Sequence, residues 1–133
     1  MNKSFSSAFF YSFYARYVGF VLIVLGTIIF IHRIVSYDII DVAGFSFPVA
    51  IGLIFIFFSR ERNFDERLVY LKFKSLAISI PIITALTSVI NYFHNFSGYS
   101  IDTDSWYSIS AFEYLSSVLI LALCLFHFYK WNV

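Results

Sequence analysis

The chain alternates between long apolar intervals and short segments that hold most of its charged residues. With their flanking residues included, these intervals predict helices over residues 14–34, 43–59, 64–93 and 111–130. A helix needs about 20 apolar residues to cross a bilayer, and flanking aromatic and basic side chains extend a span that is slightly short. The pattern predicts a single domain of the all-α membrane class, a bundle of four antiparallel transmembrane helices.

Composition supports a bilayer rather than water as the surroundings of this chain. Of the 133 residues, 60% are hydrophobic and only 13% are charged, about half the usual fraction in soluble proteins. The net charge of +1 gives no reason to expect nucleic acid as a partner. Cys124 is the single cysteine, so it cannot form a disulfide within the chain.

Basic residues predict the orientation. If the N-terminus lies inside, eight of the nine Lys and Arg residues fall on the inner side. Only Arg33 falls outside. Because inner loops of membrane proteins are enriched in basic residues, both termini are predicted to be cytoplasmic. The inner basic residues are Lys3, Arg16, Arg60, Arg62, Arg67, Lys72, Lys74 and Lys130.

The segment SRERNFDERL, Ser59–Leu68, holds six charged residues in ten positions. It is predicted to be a cytoplasmic turn, with the third helix beginning near Phe64, because Asn63 and Glu66 have the spacing of a capping box. Its mixed charge favours a protein partner over a bare anionic surface. The candidate docking residues are Arg60, Glu61, Arg62, Asp65, Glu66 and Arg67.

Small residues recur on the predicted helices at spacings of four and seven. Gly19 and Gly26 form such a stripe on the first helix, and Gly44, Pro48 and Gly52 form one on the second. Because lipid tails give helices no hydrophobic reason to associate, close packing at small residues is the expected contact. Ser110 and Glu113 match a second capping box, which places the start of the fourth helix near Ala111.

Few polar residues lie where chemistry could occur inside the membrane. His32 and His94 end the first and third helices at similar depth, and two facing imidazoles could ligate haem or a transition metal. Interfacial histidines in contact with water are the favoured interpretation, so no cofactor is predicted and haem or metal is kept as an alternative. No nucleophile motif or glycine-rich phosphate loop is present in the sequence, which gives no reason to expect an enzyme.

Hydroxyl and amide side chains suggest a different alternative, an oligomer that conducts ions. Such an assembly would line a path with the polar residues of the first and third helices. The candidate pore-lining residues are Thr27, Thr84, Thr87, Ser88 and Asn91.

The charged turn also carries a resemblance. Its pattern, Ser59-Arg60-Glu61-Arg62-x-x-Asp65-Glu66 before a span, is similar to small bacterial inner-membrane proteins with S-[KR]-E-[KR]-x-x-D-E. The overall plan loosely resembles the RexB-type phage-exclusion proteins, with four helices and Ser-Arg-x-Arg after the second. That resemblance implies ion conduction and phage defence. The Phe-, Ile-, Tyr- and Asn-rich composition suits an AT-rich bacterial genome.

These observations lead to one principal hypothesis and two alternatives. The principal hypothesis is a non-enzymatic membrane protein of the bacterial inner membrane that self-associates or docks a partner through its charged turn. The alternatives are an ion-conducting or membrane-perturbing effector and a haem- or metal-binding membrane protein.

Overall fold

The structure, a computed structural model, describes residues 12–61, 65–96 and 108–132. They form four helices: α1 (Ala15–Tyr37), α2 (Val42–Phe57), α3 (Glu66–Phe96) and α4 (Ala111–Trp131). The predicted all-α architecture of four helices is confirmed. Helices α1, α3 and α4 are long and apolar enough to span a membrane. Helix α2 has 16 residues, or about 24 Å at 1.5 Å per residue, which is shorter than a typical span.

Helix α1 continues beyond its predicted end at residue 34. It ends at Tyr37, and Asp38 follows in the left-handed conformation with φ 52° and ψ 36°. The N–H groups of Asp38 and Ile39 donate to the carbonyls of Ile34 and Arg33, at 3.0 and 3.4 Å. This pattern satisfies carbonyls that the helix end would leave unpaired.

Asp41 joins the end of α1 to the start of α2. Its Oδ1 accepts a hydrogen bond from the N–H of Gly44 at 2.9 Å, and so caps α2. Its Oδ2 lies 2.6 Å from Nη1 of Arg33. Arg33 lies within α1, although the sequence pattern predicted it to mark the boundary of a span.

The start of α4 agrees with the predicted capping box. Ser110 has an extended backbone, and its Oγ accepts a hydrogen bond from the N–H of Glu113 at 3.3 Å. The other box depends on Asn63, which lies outside the described residues, as does the predicted start of the third helix at Phe64. The described part of α3 begins at Glu66 and ends at Phe96, three residues beyond the prediction.

The main helix contacts join α1 to α2, α2 to α4, and α4 to α3. The paired contacts show that α1 and α2 run antiparallel, as do α3 and α4, whereas α2 and α4 run parallel. A hydrogen bond of 3.3 Å from Ser116 Oγ to the carbonyl of Ser46 links α2 and α4 near their starts. Towards their C-terminal ends the two helices share a buried apolar cluster of Leu53, Phe57, Leu119 and Ala122, against which Leu76 of α3 packs.

Helices α1 and α2 approach each other at glycines. A Cβ atom added to Gly19 would lie 2.5 Å from the carbonyl oxygen of Gly52, and one added to Gly52 would lie 2.7 Å from that of Gly19. Two turns further along α1, Gly26 faces the ring of Pro48. The Cγ of Pro48 would lie 2.6 Å from a Cβ added to Gly26. The predicted small-residue packing is confirmed for these four residues, and the contact is made within one chain.

Replacing Gly19 with alanine should destabilise the protein because the new methyl group would push the backbones of α1 and α2 apart. We expect a loss of about 1–3 kcal/mol in the free energy of unfolding, the usual cost of overpacking. Denaturation of the detergent-solubilised protein by SDS measures this change. Val21→Ile is the control, since it adds a carbon to an exposed position of the same helix. Equal SDS resistance of Gly19→Ala and the natural protein would contradict the close approach.

Candidate functional site: an ion cluster where four helices meet

Four charged side chains, one from each helix or its end, meet at the same end of the molecule. They are Arg16 in the first turn of α1, Glu61 just after α2, Lys72 in the second turn of α3, and Lys130 in the last turn of α4. We call this group the ion cluster, and the end of the molecule that holds it the basic end.

Glu61 lies at the centre of the ion cluster. Its Oε1 accepts from Nη2 of Arg16 at 2.8 Å and lies 3.7 Å from Nζ of Lys72. Its Oε2 lies 3.5 Å from Nζ of Lys130. One carboxylate therefore contacts cations from three different helices.

Lys72 is the most deeply buried member of the ion cluster, with 3% of its surface exposed. Its ammonium group donates to the carbonyls of Phe57 and Ser59, at 2.9 and 2.7 Å. Carbonyls at a helix C-terminus lack partners in their own helix and carry partial negative charge, so a cation stabilises them. The same Nζ lies 5.9 Å from the ring centre of Phe57 and 5.3 Å from that of Phe126. Lys72 thereby fastens α3 to the end of α2, a contact that we call the helix clamp.

Ser59 completes the connection between α1 and the end of α2. It is fully buried, and its Oγ donates to the carbonyl of Ile56 at 2.7 Å. The same oxygen accepts a longer hydrogen bond of 3.4 Å from Nε of Arg16. Arg16 therefore contacts two residues of the segment that follows α2, Ser59 and Glu61.

The cations decide the protonation state of Glu61. Burial raises the pKa of its carboxyl, but Arg16, Lys72 and Lys130 outweigh this effect and hold the pKa below its ordinary value of 4.5. The carboxylate is therefore charged at neutral pH. Three cations and one carboxylate leave the ion cluster with two positive charges in excess.

The sequence pattern alone does not bring these four residues together. Arg16, Lys72 and Lys130 were predicted only as basic residues of the inner side, and Glu61 was predicted to belong to a docking surface. The predicted topology could have indicated the ion cluster, since it placed four helix ends on one side of the membrane. A lysine on a helix that packs against another helix also needs an acceptor, and Glu61 is the acidic residue nearest the end of α2.

The predicted docking residues have different surroundings. Asp65, Glu66 and Arg67 are exposed at the start of α3. Glu61 is mostly covered by its ion pairs, with 13% of its side chain exposed, and Arg60 is half-buried. Arg62 lies outside the described residues. The exposed part of the predicted surface is therefore the first turn of α3.

His32 and His94 are both exposed, and they belong to α1 and α3, which make their main contacts with different helices. Nε2 of His32 lies 3.4 Å from the hydroxyl of Ser36 on the same helix. Within residues 12–61, 65–96 and 108–132, no three His, Cys, Asp or Glu side chains are grouped to hold a metal ion. Haem or metal binding by the two histidines stays an alternative hypothesis.

The predicted pore-lining residues bond mainly to their own helices. The hydroxyls of Thr27, Thr84, Thr87 and Ser88 each donate to a carbonyl three or four residues earlier. Thr84 also contacts the hydroxyl of Tyr114 on α4 at 2.7 Å. The side-chain oxygen of Asn91 accepts from the N–H of Ile109 at 3.1 Å, before the start of α4. Their role in conduction stays a prediction.

No family model matches this chain, and no curated protein or solved structure is significantly similar to it. The resemblance of the charged turn to small bacterial membrane proteins therefore stays a prediction. The fold and the ion cluster are the grounds on which a function can be proposed. They define a four-helix protein with three helices suited to a membrane and a shared charged site at one end.

Replacing Lys72 with methionine should destabilise the protein strongly, because Glu61 and the carbonyls of α2 would lose a buried partner. We expect a loss of about 3 kcal/mol in SDS unfolding of the solubilised protein, as for other broken buried ion pairs. Lys74→Met is the matched control. Lys74 is exposed and lies 4.8 Å from the ring centre of Tyr129, so its loss should cost about 1 kcal/mol or less.

A double-mutant cycle shows whether Lys72 acts through Glu61. Glu61→Gln combined with Lys72→Met should cost clearly less than the sum of the two single changes, since each single change already breaks the pair. Strict additivity, or equal effects of Lys72→Met and Lys74→Met, would contradict the clamp.

Acid should weaken the natural protein more than the Glu61→Gln variant. The pKa of Glu61 is lower in the folded protein than in the unfolded chain, so its contribution is present above the unfolded pKa and is lost as pH falls through the folded pKa. The difference in unfolding free energy between the two proteins should therefore shrink below about pH 4.5. SDS titrations between pH 7 and pH 3 measure it, and a constant difference across this range would be inconsistent with a charged Glu61.

Proposed function

We propose that this chain is a non-enzymatic integral membrane protein that docks a cytosolic partner through the start of α3. In this proposal the basic end faces the cytoplasm of a bacterium, and both termini lie on that side of the inner membrane. The asymmetric distribution of basic residues supports this orientation. The bilayer surrounds all four helices. Helices α1, α3 and α4 have the length and hydropathy of a span, and the shorter apolar α2, packed between α1 and α4, returns the chain to the basic end.

The observation that carries the proposal is that α3 is longer than a span and is clamped near its beginning. Its 31 residues extend about 46 Å, whereas the hydrocarbon core is about 30 Å thick. Roughly ten residues therefore lie beyond the hydrocarbon. Lys72 fixes this part of the helix to the end of α2 through two hydrogen bonds.

The projecting part of α3 presents a surface suited to a protein. Glu66 and Tyr70 are four residues apart, and Arg67 and Tyr70 are three apart, so all three share one side of the helix. Each is exposed, and Tyr70 retains 64% of its surface. Tyrosine and arginine are among the residues that contribute most at protein interfaces. We call Glu66, Arg67 and Tyr70 the docking face.

The helix clamp makes the docking face effective. A surface on a rigid helix loses less conformational freedom on binding than the same side chains on a flexible loop. Opposite charges at Glu66 and Arg67 favour a partner with its own mixed charges. Self-association through the glycine stripes is less favoured, because Gly19, Gly26 and Gly52 are already covered within the chain.

Photo-crosslinking in native membranes tests this function. The photoreactive residue benzoylphenylalanine, placed at position 70, should form a covalent adduct with a cytosolic protein. The same residue at position 37 is the control, since Tyr37 is also exposed but lies at the opposite end of α1. Charge reversal by Glu66→Lys with Arg67→Glu should reduce the adduct from position 70 by about tenfold.

Three outcomes would contradict the proposal. These are no adduct from position 70, an adduct that survives the charge reversal unchanged, or cytosolic adducts from position 37 alone. An adduct that contains only a second copy of this chain would replace the cytosolic partner with self-association.

A further inference from the structure

The ion cluster is layered, with its carboxylate inside and two of its cations outside. Glu61 has 13% of its side chain exposed, whereas Arg16 has 26% and Lys130 has 38%. An anion that approaches the basic end therefore meets cations before it meets the carboxylate. The two excess positive charges leave the cluster attractive to an anion even with Glu61 charged.

Arg16 and Lys130 retain donor capacity for such an anion. The hydrogen bonds of Arg16 use its Nε and Nη2 atoms, and a guanidinium carries five N–H groups. The ammonium of Lys130 contacts one oxygen of Glu61 and has three N–H groups. Arg16 contacts Oε1 of Glu61 and Lys130 contacts Oε2, so their charged groups lie close enough together to share one anionic group.

Exposed aromatic residues indicate the depth of these cations relative to a bilayer. Tyr14 and Tyr17 flank Arg16 in sequence, and Trp131 follows Lys130; all three are exposed. Tyrosine and tryptophan are enriched where a membrane protein passes through the headgroup region. In the membrane position proposed above, these aromatic residues place Arg16 and Lys130 at the level of lipid phosphates.

We propose that Arg16 and Lys130 form a binding site for the phosphate of an anionic phospholipid in the leaflet at the basic end. Arginine matches phosphate geometry through paired donors, and lysine adds a compact charge. The occupant is a lipid rather than a free phosphate because the aromatic residues place the two cations among lipid headgroups. This site is separate from the docking face on α3 and does not depend on it.

Native mass spectrometry of the purified full-length protein tests the site. The protein is solubilised with equal amounts of phosphatidylglycerol and phosphatidylcholine that carry the same acyl chains. A basic residue near an anionic membrane surface contributes enough affinity for about a fivefold preference. We therefore expect phosphatidylglycerol adducts to exceed phosphatidylcholine adducts by about twenty-five-fold.

Substitutions identify the cations responsible. Lys130→Gln should reduce the ratio by about fivefold, and adding Arg16→Gln should bring it close to one. Arg16→Lys keeps the charge and should retain most of the preference. Arg67→Gln is the matched control, because Arg67 is an exposed cation at the same end but outside the ion cluster. If Arg16→Gln fails to fold, the half-exposed Lys130 still tests the site alone.

Several results would overturn the proposal. A ratio near one in the natural protein, an unchanged ratio in Lys130→Gln, or an equal fall in Arg67→Gln would contradict a localised site that selects anionic lipid. Glycerol 3-phosphate at millimolar concentration should leave the adducts in place. Its complete displacement of phosphatidylglycerol would show a site for free phosphate. Loss of lipid preference would leave the photo-crosslinks of the docking face unaffected.

Discussion

The contact between Lys72 and the end of α2 sets how the helices of this protein meet. The ammonium group donates to the carbonyl of Phe57, the last residue of α2, and to that of Ser59 just beyond it, and it lies near the carboxylate of Glu61. Three groups that would each be unfavourable if buried alone are thereby compatible with burial. A single residue of α3 can reach all three only at one helical position. The clamp therefore determines the register of α3 against α2 as well as their distance.

A polar contact that fixes the relative position of two helices matters more in a bilayer than in water. Apolar side chains gain little by moving from lipid to another helix, so an apolar surface alone defines the relative position of two helices poorly. This protein uses two kinds of contact that lipid cannot imitate. Gly19 and Gly52 allow the backbones of α1 and α2 to touch, and the ion cluster joins the ends of all four helices. The first contact sets the distance between two helices, and the second sets the alignment of their ends.

Sequence alone predicted the features that depend on local pattern. The positions of four helices follow from apolar intervals, and the cap at Ser110 follows from the spacing of two residues. The glycine contact was predictable as a stripe on each helix, although not as a particular pair. The end of α1 was predicted three residues early because Arg33 resembles a membrane boundary. Its actual partner, Asp41, satisfies the charge across a short loop and lets the helix continue.

The ion cluster could not be predicted in the same way because its members are distant in sequence and each has an ordinary local explanation. Arg16 and Lys130 are separated by almost the whole chain, and both fit the rule for inner basic residues. Only the contacts of α2 with α1 and with α4 show that their cations share Glu61. A site formed where helix ends meet depends on the topology of the fold. The sequence pattern indicates that topology only through the number of charged residues on each side of the membrane.

The excess charge of the ion cluster connects the stability of the fold with its surroundings. One carboxylate would suffice for Lys72, so the two remaining cations are not required to neutralise a buried charge. Their exposure is larger than that of Glu61, and they point the unbalanced charge outward. An anionic headgroup beside them would reduce the repulsion among three cations that share one carboxylate. An anionic lipid in the proposed site would thus contribute to the same charge balance that holds the helix ends together.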